Sequence, residues 1–349
     1  MPSEYLPATP PPRATTAFFG HRDAEQALLH AYGSGRMPHA WLLGGPAGIG
    51  KATLAYRMAR FVLAHPDPRS PAVQAADSLT VDPAHPVARR IAAQAQGDLL
   101  ILERIEDDKG KLRTVITVDQ VRRNVSFFGS TAGEGGWRVC IIDSADELQE
   151  PNAANALLKV LEEPPPNALF LIVSHAPAQL LATIRSRCCA LTLRPLDAAD
   201  VAGAAAAAHG RQADDRPIVA AAAAADGSVA KALMLLAGAG DGLALRQNVL
   251  DRLNSLPNVD PGALHALGDA LAGSEPAKLA TFVDTVNEWL SARLSEGRGE
   301  PHCLAGMADA WEEINRAVRN ADTYNLDRKP LVFSVFRRLA EAASASSGR

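Results

Sequence analysis

Cysteine is scarce in this chain: 349 residues hold four, Cys140, Cys188, Cys189 and Cys303, and none stands at the paired spacing of a metal site. Two of them fall in or beside predicted buried strands, so the set reads as reduced core thiols and argues against a disulfide framework. Residues 54 to 139 contain no cysteine, and the histidines of that stretch, His65 and His85, cannot by themselves make a four-ligand structural site. No zinc is expected, and no metal-ligating residue stands out. Long apolar runs are missing too, so no segment is long enough to span a membrane. Neither sign of charge dominates: 35 Lys and Arg stand against 39 Asp and Glu, a formal net charge of -4. That balance lacks the bulk basic footprint of a protein that grips nucleic acid alone, and any DNA contact is expected to be local or shared with partners. From Met1 to Arg13 there is neither a basic n-region nor an apolar h-region. Residues 1–17 are therefore expected to form a disordered arm and not a signal peptide, and the protein is expected to be cytoplasmic. What is plentiful is apolar side chain, 47% of residues, enough for sizeable cores in two or three domains.

The densest information lies between Val139 and Cys188. The apolar run Val139-Cys140-Ile141-Ile142 ends on Asp143, and a second, Leu169-Phe170-Leu171-Ile172-Val173, ends on Ser174. Neither run alternates with polar residues, and an amphipathic helix pattern from Asn152 to Glu163 separates them before the breaker Pro164-Pro165-Pro166. Such runs predict parallel strands buried on both faces. Open parallel sheets place their chemistry where the strands finish, which singles out Asp143 and Ser174.

Upstream, a helix is predicted over roughly Arg22 to Ser34 and a buried strand at Ala40-Trp41-Leu42-Leu43. The strand feeds into Gly45-Pro46-Ala47-Gly48-Ile49-Gly50-Lys51-Ala52, and helix-patterned residues follow from Thr53 to Phe61. Strand, glycine-rich loop and helix in this order is the context of a phosphate-binding loop: backbone N–H groups of Gly45, Gly48 and Gly50 cradle phosphate, Lys51 reaches the terminal groups, and the helix N-terminus favours the anion. The hydroxyl that should hold Mg²⁺ is replaced by Ala52. Thr53 comes one residue too late, since neighbouring helical positions point about a quarter turn or more apart. ATP binding is thus left open, with Mg²⁺ held weakly or not at all; the other reading is a loop kept for its shape alone. Strands are further predicted at Leu99 to Leu102 and around Val115-Ile116, flanking a charged hairpin tip from Glu106 to Lys111, and a helix capped by Asp119. Arg122 and Arg123 on that helix could meet DNA phosphates, or simply be solvated.

Taken together, Asp143-Ser144-Ala145-Asp146, the run Asn155-Ala156-Leu157-Leu158-Lys159 with Leu161-Glu162-Glu163-Pro164-Pro165, and Ser186-Arg187-Cys188 resemble the bacterial clamp-loader branch of the AAA+ proteins. The likeness is strong over residues 18 to 195 and elsewhere rests on helical character. It implies that Asp143 is a Walker B aspartate and Ser174 a first sensor of the γ-phosphate. It further implies that Arg187 is an arginine finger, projected in trans into a neighbouring subunit's ATP site, where such a residue is typically worth about 10³–10⁵ in rate. Arg185 would support the finger, and an intramolecular salt bridge is the other use for Arg187. Relatives that hydrolyse ATP carry a glutamate where this chain has Ser144, which cannot act as that base. Asp146 and Glu147 have the wrong offset and are expected to be surface or capping carboxylates. Relatives with a zinc module carry it where this chain lacks cysteine.

Past Pro195 the alanine runs Ala204 to Ala208 and Ala220 to Ala225 predict a small helical lid over 196–240, in which Lys231 is expected to be a solvated helix lysine. Residues 241–349 carry helical patterns over Leu279 to Leu294, Met307 to Val318 and Pro330 to Ala343, which suit three to five packed helices. The fold class expected is therefore an α/β AAA+ P-loop parallel-sheet domain over 18–195, a small helical lid, and a C-terminal all-α collar domain. The resemblance implies a stator of the DNA polymerase III clamp loader, weak or inactive as an ATPase itself. Its expected partners are the gamma/tau and delta subunits and, through the complex, the sliding clamp and primed DNA. An ATP-hydrolysing motor subunit of gamma/tau type, another AAA+ remodeller, and a DNA-binding scaffold are the competing readings.

Overall fold

The computed structural model describes residues 9–107, 112–129, 136–149, 151–237, 241–271, 276–296, 301–324 and 328–344. Residues 1–8 of the expected arm and 108–111 of the charged hairpin tip lie outside them. Among the described residues the order of elements is α1 (Arg22–Gly33), β1 (Ala40–Gly44), α2 (Lys51–Ala64), α3 (Pro71–Gln74), α4 (Pro86–Ala92), β2 (Leu99–Glu103), α5 (Val118–Gly129), β3 (Arg138–Asp143), α6 (Asn152–Glu162), β4 (Ala168–Ser174), α7 (Ala182–Arg185) and β5 (Cys189–Thr192). There follow α8 (Ala198–His209), α9 (Arg216–Ala224), α10 (Val229–Leu236), α11 (Asp241–Asn254), α12 (Pro261–Leu271), α13 (Pro276–Glu296), α14 (Pro301–Tyr324) and α15 (Arg328–Ser344). Two units emerge, the first running from Thr9 to Ala232 and the second from Leu233 onward.

In the first unit the five strands form one sheet in the order β2-β3-β4-β1-β5, every pairing parallel. The unalternating apolar runs are explained by the two cores they serve. Leu43, Val139, Ile141, Leu169, Leu171 and Val173 face a core shared with Leu28 of α1 and with Leu54, Met58 and Phe61 of α2. Their alternate neighbours Leu42, Cys140, Ile142, Phe170 and Ile172 face a second core with Val121 of α5 and Leu157 and Leu161 of α6. A strand buried on both faces has no polar side to display, and each large side chain so buried contributes roughly 1.5–3 kcal/mol.

Four local features differ from the sequence reading. β5 went unpredicted, because it is a four-residue edge strand, largely exposed and too short for its apolar residues to mark it as a buried strand. No strand forms around Val115-Ile116: Ile116 makes an isolated parallel bridge to Leu148, and among the described residues Glu106 and Leu112, which flank the charged tip, form an isolated antiparallel bridge. The start of α5 is held by Thr117 and Gln120, not by Asp119: Gln120 Oε1 accepts from the Thr117 N–H at 2.9 Å and from its hydroxyl at 3.1 Å, the backward half of a capping box. Residues 9–17 of the expected arm are tied down, with Arg57 donating to Thr16 O at 2.9 Å and Arg60 to Thr15 O at 2.6 Å. Two buried arginines with unfilled donors make this segment part of the fold.

The second unit is built from helices among its described residues. Phe282, Val286 and Leu290 recur every four residues on α13, and Val332, Val335, Phe336 and Leu339 mark one face of α15. These stripes meet Leu245, Val249 and Leu253 of α11 in one core, as helical spacing predicts.

Candidate nucleotide site and the arginine behind it

At the carboxyl end of the sheet, strand register brings the predicted site residues into one row. Gly44 pairs with Ser174, and Glu103 with Asp143. The loop leaving β1 turns on Gly45 (φ +146°) and Gly48 (φ +77°), conformations that L side chains rarely adopt. A Cβ on Gly45 would run into the Leu193 carbonyl, and one on Gly48 into Ser228 and Ala230, so both positions demand glycine for space as well. Gly50 caps α2 in a left-handed conformation with no side-chain cap, leaving the first amides of that helix for an anion.

Lys51 is only 2% exposed and is turned onto its own loop, donating from Nζ to Gly45 O at 2.6 Å and to Pro46 O. Burial lowers its pKa to about 8, against the pull of Asp143 and Asp146 in the other direction. The next three carbonyls are also engaged. Ala47 O accepts from Ser228 Oγ at 3.2 Å, Gly48 O from the Ala230 amide at 3.1 Å, and Ile49 O from His21 Nε2 at 2.8 Å. All carbonyls from Gly45 to Ile49 are thus spent on this chain's own groups, two of them on the turn into α10 and its first residues.

Asp143 ends β3, and burial raises its pKa against the nearby Lys51 and Arg104 cations. Ser144 is buried, and its hydroxyl has no hydrogen-bond partner among the described residues. Ser174 is fully buried and donates to Asp146 Oδ1 at 2.8 Å. Asp146 Oδ2 accepts from the His175 amide at 2.6 Å, and Oδ1 from that of Ala176 at 3.1 Å. Sequence reading assigned Asp146 to the surface or to a cap; it is exposed, as expected, and its carboxylate also anchors the chain leaving β4. Glu147 pairs with Arg104 at 2.8 Å. Lys231, expected to be solvated, is instead 12% exposed and ion-paired to Asp226 at 2.7 Å.

A phosphate group fits the glycines and helix N-terminus of this loop, provided Lys51 leaves Gly45 O and Pro46 O. Mg²⁺-dependent hydrolysis does not fit. Position 52 offers no oxygen to a metal, and buried Ser144 has no carboxylate with which to activate water.

Arg187 stands apart. Cys189 is in register with Trp41 near the amino end of β1, whereas the loop leaves its carboxyl end. At about 3.3 Å per residue the two levels are about 13 Å apart, at opposite ends of the same strands. Arg187 is one-third exposed and forms an intramolecular pair, donating from NH2 to Glu162 Oε1 at 2.7 Å and from NH1 to Thr183 O at 2.9 Å.

The family model described as "DNA polymerase III, delta subunit" matches residues 20–197. The DNA polymerase III subunit delta' of Pseudomonas aeruginosa is 41% identical over 165 residues, 47% of this chain and 46% of that protein. That of Escherichia coli K12 is 31% identical over 170 residues, 47% of this chain and 44% of that one. The DNA polymerase III subunit gamma of Buchnera aphidicola subsp. Schizaphis graminum is 24% identical over 353 aligned positions, 93% of this chain and 92% of its own. The chain spans about half the length of the delta' relatives it matches.

Proposed function

Because the chain belongs to the family described as DNA polymerase III, delta subunit, we propose that it acts in DNA replication as a delta-prime-type stator of the clamp loader, supplying Arg187 in trans to the ATP site of a neighbouring subunit. The observation that carries this reading is the position of Arg187. It lies at the end of the sheet opposite the chain's own loop, partly exposed, so the phosphate it would serve belongs to another molecule. Its delocalised charge and planar donor fork suit the charge that spreads over a transferring phosphoryl group. The chain's own loop serves as a brace instead, its carbonyls bound to Lys51, His21, Ser228 and Ala230.

In this reading the partners are gamma/tau and delta subunits and, through the assembly, the sliding clamp and primed DNA. The division of labour follows residues 18–195, 196–240 and 241–349, as core, lid and collar. The role proposed is a cytoplasmic one; no described helix is long and apolar enough to cross a membrane. A second reading, an ATP-hydrolysing motor of gamma/tau type, rests on the intact Gly50-Lys51 pair. DNA- and clamp-stimulated ATP turnover of the loader reconstituted with gamma and delta subunits decides between them. The stator reading expects an isolated chain with almost no turnover, and an Arg187→Ala loader that assembles yet turns over at least about 10³-fold more slowly if this finger serves every step. Turnover by the isolated chain, or an unchanged rate with Arg187→Ala, rejects it.

A further inference from the structure

Glu162 is the last residue of α6, where a carboxylate meets the negative end of the helix dipole and is disfavoured unless a cation stands beside it. The cation is Arg187, 25 residues along the chain and on a different element. Both backbones are fixed from below: Leu161 and Ile184, each 1% exposed, are buried in the same core. The pair itself is solvated, with the side chains 33% and 48% exposed, and a pair in that setting contributes little to stability. What it does supply is direction. An arginine side chain has several rotatable bonds to restrict before its fork can meet a ligand. Here Thr183 O takes one nitrogen and Glu162 the other, which sets the plane of the guanidinium and leaves the remaining donors of the fork for a partner.

We infer that Glu162 is a positioning residue for Arg187, holding the guanidinium in the orientation from which the neighbouring ATPase subunit receives it. The inference rests on the trans role proposed above. Glu162 touches no reacting atom and acts only through the arginine.

The test is a double-mutant cycle in the reconstituted loader, with native chain, Glu162→Ala, Arg187→Ala and both together, each assembly confirmed by gel filtration. Glu162→Ala is expected to lower the kcat of DNA-stimulated ATP turnover about fivefold, the factor an exposed pair can contribute, at unchanged KM for ATP. On the Arg187→Ala background it should lower it no further, because a residue that acts through another has nothing left to position. A merely structural role would instead give an additive loss or a failed assembly. An unchanged rate with Glu162→Ala, a faster one, or an additive loss beside Arg187→Ala overturns the positioning role. If Arg187→Ala alone has no effect, the trans role itself fails, so the two failures are told apart.

Discussion

One carboxylate sets what Ser174 can do. Its hydroxyl proton is committed to Asp146, whose oxygens also take the His175 and Ala176 amides. Burial alone would raise the Asp146 pKa, but these bonds, led by the His175 amide and Ser174, outweigh it and hold the group below the ordinary 3.8. A folded value below the unfolded one gives stabilisation that is complete above the unfolded pKa and lost as pH falls through the folded value. Asp146→Asn should therefore cost only about 0.5–1.5 kcal/mol near neutral pH, because the carboxylate is exposed and water can replace part of what its donors lose. The difference from native should shrink in acid below the unfolded pKa, as read by urea denaturation across pH. A constant difference down to the lowest pH would show that the carboxylate charge is not what anchors the β4 exit.

At the scale of elements, α1 is joined to α2 by a buried ion pair. Arg57 Nε donates to Glu25 Oε1 at 2.5 Å, both residues being 7% exposed, and the same oxygen accepts from the Leu79 amide at 2.9 Å. Arg57 also reaches Thr80 Oγ1 and Thr16 O, so one guanidinium links α1, α2, the segment before α1 and the connection after α3. Glu25→Ala leaves that cation buried and uncompensated, at an expected cost of about 3–5 kcal/mol. The midpoint of chemical denaturation reads this directly, and a loss below about 1 kcal/mol, the level of a surface pair, would mean that water replaces the carboxylate. Next to this junction the cysteine-free connection is gathered by aromatic donors, with Tyr32 donating to His65 O at 2.5 Å and Trp137 to Pro66 O at 3.0 Å.

Over the whole molecule, two separate sets of cores imply that damage stays local. Phe282 is 1% exposed in the helical unit, and Phe282→Ala should cost that unit about 3–5 kcal/mol. Hydrogen exchange should report the loss in residues 241–344 while β3 and β4 keep their protection. Loss of protection throughout would show one cooperative body in place of two units.

The sequence by itself determined the sheet strands that are buried on both faces, because an unbroken apolar run permits no other placement. It also determined the loop, whose glycines and lysine are read from spacing alone, the absence of a side-chain oxygen at Ala52, and the helical character of the described elements after Pro195. Arg187, Asp143 and Ser174 were legible as a set only through resemblance to a family. Tertiary structure alone decided how these groups are spent. That Lys51 bonds its own loop, that Ser228 and Ala230 close on Ala47 and Gly48, that Asp146 claims Ser174 and that Glu162 meets Arg187 are contacts between residues 5 to 182 positions apart. The edge strand β5 was hidden for the same reason, since its identity lies in the backbone of β1 beside it and not in its own side chains. Periodicity encodes which face of an element is apolar, but hydrogen bonds between polar groups carry no period, and their partners are known only once the chain has closed on itself.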